Sequence, residues 1–226
     1  SRFAARTLLP PHTARALSAV RPTPPAPWVA QRFVRGRAVC TYSVAHGGQV
    51  AAHAAYPVTF SAGQGAAILF QAEAHAGALA WVAAFVAREG FTGQIAFDFI
   101  EDADGKLWCL ECNPRLTSGV HLLAAHPGFA ATLWACGPAL VTPPPGPPAM
   151  LGAAMWLYGL PSALRGAGLR RWLHAMRTSR DVIAQRGDPA ARLMQWASLA
   201  ESMARSLRQG IGPLAASTED IEWNGD

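Results

Sequence analysis

Lysine is almost absent from this 226-residue chain: Lys106 stands alone beside 18 arginines. A protein so composed has few routes to lysine chemistry. Charge of either sign is sparse, at 15% of residues, where ordinary soluble domains carry roughly 25%. Acid is missing altogether before Glu73. Apolar residues reach 51%, which excludes intrinsic disorder as the main state because there is ample surface to bury. Cysteine is scarce and scattered (Cys40, Cys109, Cys112, Cys136), which excludes a disulfide scaffold and points to a reducing, cytoplasmic setting. No charged segment followed by an apolar run opens the chain, so no secretory signal is read. Residues 116–164 lack Asp, Glu, Lys and Arg, yet prolines leave no uninterrupted stretch longer than the 12 residues 149–160. A spanning helix needs about 20, so this region reads as buried core and no membrane contact is expected.

What is present is segregated. Residues 1–72 hold seven arginines and no acid, whereas residues 73–115 hold seven acids against three bases. A basic segment beside an acidic cluster suits an anionic ligand with a cation; it equally suits a solvated arginine-rich surface. The abundance of Ala, Gly, Pro and Arg reads as compositional drift. The arginines are not interleaved with aromatics, so no nucleic-acid partner is expected.

The pattern predicts an α+β chain with a mostly helical final third. A proline-rich connector at 22–27 precedes expected strands at 28–34, 38–45 and 50–56, with His46-Gly47-Gly48 as a turn. A glycine-containing loop follows at 61–65. Residues 75–89 have helical spacing and stop at Gly90. Strands are expected at 94–100 and 106–112, a short apolar element at 149–158, and helices at 162–176 and 190–209, before an acidic tail at 217–226.

The hairpin is the informative part. Asp104-Gly105 is a favoured pair for a two-residue turn, and that register sets Phe99 against Leu110, Phe97 against Cys112 and Asp98 against Glu111. Alternation then gives an apolar face of Ile95, Phe97, Phe99, Trp108, Leu110 and Cys112, and a polar face of Gln94, Asp98, Glu111 and Asn113. Two carboxylates directly opposite, about 5 Å apart at Cβ, repel and call for a cation or a shared proton. With the Asn113 carbonyl they form a hard-oxygen set suited to Mg²⁺ that keeps waters and bridges to phosphate. Arg115 can reach an anion from the strand end. A wet edge hairpin is the plain alternative.

Other motifs carry less. Cys109 and Cys112 have C-x₂-C spacing without a second pair, and regular alternation aims them at opposite faces, against zinc. Asp102, Asp104, Gly105 and Glu111 mimic part of a calcium loop, but position 1 would be Ile100. His121 and His126 read as packed or surface histidines, and Ser118 lacks His and Asp partners by spacing.

The run Gly93-Gln-Ile-Ala-Phe-Asp98-Phe-Ile, followed by Asp104-Gly-Lys-Leu-Trp-Cys-Leu-Glu111-Cys-Asn113-Pro-Arg115, resembles the metal-binding end of the ATP-grasp superfamily. The resemblance implies an ATP-grasp-type antiparallel sheet with packed helices. It further implies an enzyme that uses ATP and Mg²⁺ (two ions, with Mn²⁺ as substitute) to activate a carboxylate as an acyl phosphate for attack by an amine or thiol. Asp98, Glu111 and Asn113 would hold the metal, with Glu111 shared by two ions. Arg115 would neutralise the transferred phosphoryl or acyl phosphate. Upstream, Pro27-Trp-Val-Ala-Gln31-Arg-Phe-Val-Arg-Gly36 is similar to the strand and hinge where adenine lies; there the Gln31 side chain and the backbones of Arg32 and Val34 would meet the base. Where the family has a ribose-binding Glu, this chain has Ala38.

The resemblance covers roughly residues 28–121. Glu-Cys-Asn-Pro-Arg-x-Thr-Ser-Gly-Val-His is similar to an uncharacterised branch in which Ser179-Arg180-Asp181-Val182 and Asp220-Ile-Glu-Trp-Asn224 recur. Arg180, Asp220 and Glu222 read either as substrate contacts or as surface salt bridges. The family's N-terminal half carries phosphate-binding lysines. The chain opens at Ser1-Arg2-Phe3, so an N-terminally incomplete enzyme is expected, unless arginines such as Arg2 and Arg6 substitute. The expected division is a partial ATP-grasp domain at 1–125 and a helical region at 126–226. A non-catalytic fragment or nucleotide-binding module of the same origin is the alternative.

Overall fold

Two apolar, β-branched stretches interrupted by His46-Gly47-Gly48 pair as an antiparallel hairpin, β1 (Arg37–His46) and β2 (Gln49–Pro57). The structure is a computed structural model that describes residues 17–18, 20–24, 27–62, 66–184, 187–212 and 216. Short strands follow: β3 (Ser61–Ala62), β4 (Ala66–Ala67) and β5 (Leu69–Phe70). Helix α1 (Ala76–Glu89) begins where the His75 imidazole accepts the Ala78 N–H, and it ends at Gly90. Strands β6 (Gly93–Glu101) and β7 (Leu107–Asn113) complete a sheet of order β2-β1-β6-β7. The fold is thus α+β with an antiparallel sheet, as expected.

Each face of that sheet has its own core. On one, Val82 and Val86 of α1 cover Ala45, Ile95, Phe97 and Phe99. Trp81 and Phe85 meet Phe97 edge-on, at centroid distances of 5.0 and 4.9 Å, a favoured aromatic geometry. On the other, Tyr42, Val44, Ala52, Ala54, Tyr56 and Ala96 pack against Leu122, Leu123 and Phe129.

The remaining chain is mostly helical. Strand β8 (Ala149–Met150) lies between β5 and β9 (Arg180–Asp181) in a small sheet. Helical turns, π-helical at Met155–Gly159 and Ala163–Ala167, lead to α2 (Leu169–Thr178) and α3 (Pro189–Gln209). Trp172 and Met155 share a core with Phe60, Ile68 and Leu69. Among the described residues no helix is long and apolar enough to cross a membrane.

Three expectations need correction. Residues 28–34 form no strand, and Val29 is 92% and Phe33 53% exposed. Neither alternating set there is wholly apolar, so no face gains by docking on a sheet. The β6–β7 turn has three residues rather than two. Gly105, at φ 78°, donates its N–H to the Asp102 carbonyl, while Asp102 N–H meets the Lys106 carbonyl. The Asp102 carboxylate fixes this loop by accepting from the backbones of Asp104 and Lys106 and from the Trp108 indole. Finally, a β-bulge at Leu110 shifts the register between Asp98 and Phe99. Trp108 and Leu110 consequently leave the α1 face, where Leu107 and Cys109 pack instead, and Leu110 is 49% exposed. The glycine loop at 63–65, the end of the connector at 25–26, Arg2, Arg6, Asp220, Glu222 and the acidic tail lie outside the described residues.

Candidate functional site

The longer loop and the bulge displace the register by one residue each in opposite directions. Beyond the bulge the pairing is therefore as the sequence predicts: Asp98 faces Glu111, Phe97 faces Cys112 and Ala96 faces Asn113. The carboxylates of Asp98 and Glu111 stand on the face opposite α1, at the open edge of the sheet. Among the described residues neither takes part in an ion pair.

These side chains line a cavity of about 490 Å³. Its sheet side is Tyr56, Cys40, Ala96, Asp98, Glu111 and Asn113; its other side is the segment that leaves β7, with Arg115, Thr117, Ser118 and His121. Asp98, Glu111, Asn113 and Arg115 are thus brought together. Gln31, Arg32 and Val34 are not: none lines the cavity, and Gln31 and Arg32 are exposed. The Arg32 guanidinium stands 5.3 Å from the Trp108 ring centroid, on the cavity face of the hairpin. The one lysine, Lys106, also covers that ring, at 4.1 Å, and does not line the cavity.

The segment after β7 is pressed hard onto the sheet. A Cβ at Gly119 would lie 2.4 Å from Tyr42 Cβ and 3.2 Å from Tyr56 Cε1, so only glycine permits this approach. Val120–Leu123 then forms one helical turn with Leu122 and Leu123 buried. Arg180 of β9 donates to the His121 backbone carbonyl. Among the described residues it makes no ion pair, and it does not line the cavity; it ties the chain around β9 to the cavity wall.

Burial sets the electrostatics. The Tyr56 hydroxyl and the Cys40 thiol are held well above their ordinary ranges, chiefly by burial, and then by Cys40 in the case of Tyr56 and by Asp98 in the case of Cys40. Both are therefore neutral near pH 7. Burial and then the Arg180 charge lower the His121 pKa, and the ring lies tilted against Phe70, centroids 5.8 Å apart. A second charged group lies on the α1 face: Arg37 donates to both Glu73 and Glu101, with N–O distances from 2.6 to 3.0 Å. That clamp raises the Arg37 pKa and lowers that of Glu73.

Sequence reasoning missed Cys40, Tyr56, Thr117, Ser118 and His121 as cavity residues. Register with β6 brings Cys40 in, and no local spacing reports a pairing between residues 58 positions apart. The bulge also overturns the expectation for the thiols: Cys109 pairs with Phe99 and Cys112 with Phe97, so both lie on one face. Even so, among the described residues no three His, Cys, Asp or Glu side chains group to hold an ion. A cation in the cavity would have two carboxylates and a carboxamide, the rest of its shell coming from water or phosphate. That donor set fits Mg²⁺, which dehydrates reluctantly.

Neither a family model nor a curated protein sequence matches the chain. Solved structures that match in part are ATP-grasp enzymes. The biotin carboxylase domain of a single-chain bacterial carboxylase is similar at 21% identity over 52% of this chain and 32% of its own, with a TM-score of 0.39. The L-amino acid ligase from Bacillus licheniformis is similar at 15% identity over 41% and 25%, TM-score 0.32. N5-carboxyaminoimidazole synthetase from Staphylococcus aureus, solved with ADP, is similar at 14% identity over 42% and 27%, TM-score 0.33. The chain therefore spans between 25% and 32% of the length of these three structures.

Proposed function

We propose that this chain forms the metal- and nucleotide-binding part of an ATP-grasp ligase that activates a carboxylate for attack by an amine. The observation that carries this reading is the convergence of Asp98, Glu111, Asn113 and Arg115 on one cavity, the four residues of the Glu-x-Asn-Pro-Arg resemblance and its upstream acid. Asp98, Glu111 and Asn113 would hold Mg²⁺ or Mn²⁺, with Glu111 placed to serve two ions. The bound ion supplies Lewis-acid charge opposite the nucleotide phosphates. Arg115 would hold the anionic end of the carboxylate substrate or its acyl phosphate, where a fixed cation stabilises developing charge. Gln31 and the backbones of Arg32 and Val34 would meet adenine once residues 27–35 close on the cavity face, where Arg32 already stands over Trp108. Small-molecule carboxylate and amine substrates, a cytoplasmic setting and the division at residue 125 belong to the same proposal.

A second reading is a nucleotide-binding module without turnover. The position of Lys106 over Trp108, away from the cavity, favours it, because the phosphates then have no lysine there to meet.

Calorimetric titration with Mg²⁺ and a non-hydrolysable ATP analogue tests both. Mg²⁺-dependent binding is expected, falling by more than about 100-fold in Glu111→Ala, beyond the range that loss of an outer partner costs. Binding indifferent to Mg²⁺ and to Glu111→Ala would remove the metal assignment. ADP release screened across amino acids and small carboxylates separates the readings: release marks the ligase, and binding without release marks the module.

A further inference from the structure

Tyr56, Cys40, Asp98 and Glu111 form one unbroken row across all four strands of the main sheet. Their registers are Cys40↔Tyr56, Cys40↔Asp98 and Asp98↔Glu111. Directly opposed residues have Cβ atoms about 5 Å apart, so each member is the next one's nearest cross-strand neighbour on that face. Exposure rises along the row: Tyr56 is 4% exposed, Cys40 and Asp98 are half-buried, and Glu111 is exposed. Groups that are neutral at pH 7 occupy the buried end, and carboxylates occupy the open end facing the cavity.

We propose that Cys40 is a positioning residue for Asp98: its S–H donates to one carboxylate oxygen and so turns the other toward Glu111 and the cation between them. This rests on the metal-binding reading above. Cys40 stands directly opposite both Tyr56 and Asp98 in the sheet and lines the cavity beside them, and no arginine or lysine among the described residues pairs with Asp98. Without a donor at position 40, Asp98 would face the cation with neither oxygen fixed. Outer partners that orient a carboxylate ligand commonly govern metal affinity by 10- to 100-fold. A serine hydroxyl donates in the same direction and would take over the role; an alanine or valine could not.

The test uses Mn²⁺ alone with the full chain, free ion being counted by electron paramagnetic resonance. Wild type is expected to bind, Glu111→Gln to lose binding, Cys40→Ala to weaken it about tenfold, and Cys40→Ser to return it to within about threefold of wild type. The Ser rescue is the outcome that a purely packing role would not give. Should Cys40→Ala fail to fold because of the void it leaves, Cys40→Val, which fills that space without a donor, takes its place. Unchanged affinity in the Ala or Val variant, or a Ser variant as weak as Ala, overturns the role of Cys40 while leaving the metal site standing. No binding by wild type, or binding unchanged in Glu111→Gln, overturns the metal reading and this inference together.

Discussion

The β6–β7 hairpin and the segment 27–35 both resemble ligand-contact elements of one enzyme class, yet they fold differently. The hairpin separates polar from apolar residues and closes on itself through a three-residue turn, so its neighbour in sequence is also its partner in the sheet. Residues 28–34 mix the two kinds on both alternating sets and stay outside the sheet, with Val29 and Phe33 in solvent. A ligand-contact pattern becomes a placed element only when the same residues also specify a face to bury.

That contrast can be broken most directly by truncation. Phe97→Ala should cost about 3–5 kcal/mol, the usual result for a buried aromatic, because Phe97 is 1% exposed under Trp81 and Phe85. Phe33→Ala should stay within about 0.5 kcal/mol. Chemical denaturation measures both, and equal losses would mean that residues 28–34 are packed after all.

Acid sharpens the contrast next. His53 of β2 is 5% exposed, hydrogen-bonded to Ser43, and held neutral by burial and then by His75, with its pKa lowered to about 4. Above its ordinary value near pH 6.5 it is neutral in both states and contributes no pH dependence. Between pH 6.5 and 4 the unfolded chain takes up a proton that the folded sheet refuses, so stability should fall by about 3 kcal/mol in all. The Arg37-held Glu73, lowered below its ordinary value near 4.5, adds its loss only in stronger acid. Denaturation curves from pH 7 to 5 that do not move would rule out the buried neutral histidine, and His53→Gln should flatten the slope.

The smallest effect concerns the turn. Gly105→Ala places a side chain at φ 78° and should cost about 1 kcal/mol, with Gly105→Asn costing less. No difference between the two would argue that the loop is not the three-residue form.

The sheet core, helix α1 and the acid pair were legible because they follow local alternation, helical spacing and a turn dipeptide. The pairing of Asp98 with Glu111 was read correctly from a turn one residue too short; the bulge at Leu110 restored the count. The identities between the turn and that bulge were not legible, since alternation assumes a regular strand: Trp108 and Leu110 lie on the cavity side and Cys109 on the α1 side, each opposite to the expectation, whereas Cys112 faces Phe97 as expected. The far side of the cavity was also hidden. Cys40 enters through a non-local register, and His121 through a turn whose height above the sheet no spacing records.

That height is set at Gly119. The missing carbon would sit about 1 Å inside ordinary contact with Tyr42, so a single methyl there would raise Thr117, Ser118 and His121 off the row beneath them. The ceiling of the cavity is thus calibrated by one absent atom. A chain could widen this chamber, or collapse it, by changing a position that carries no functional group.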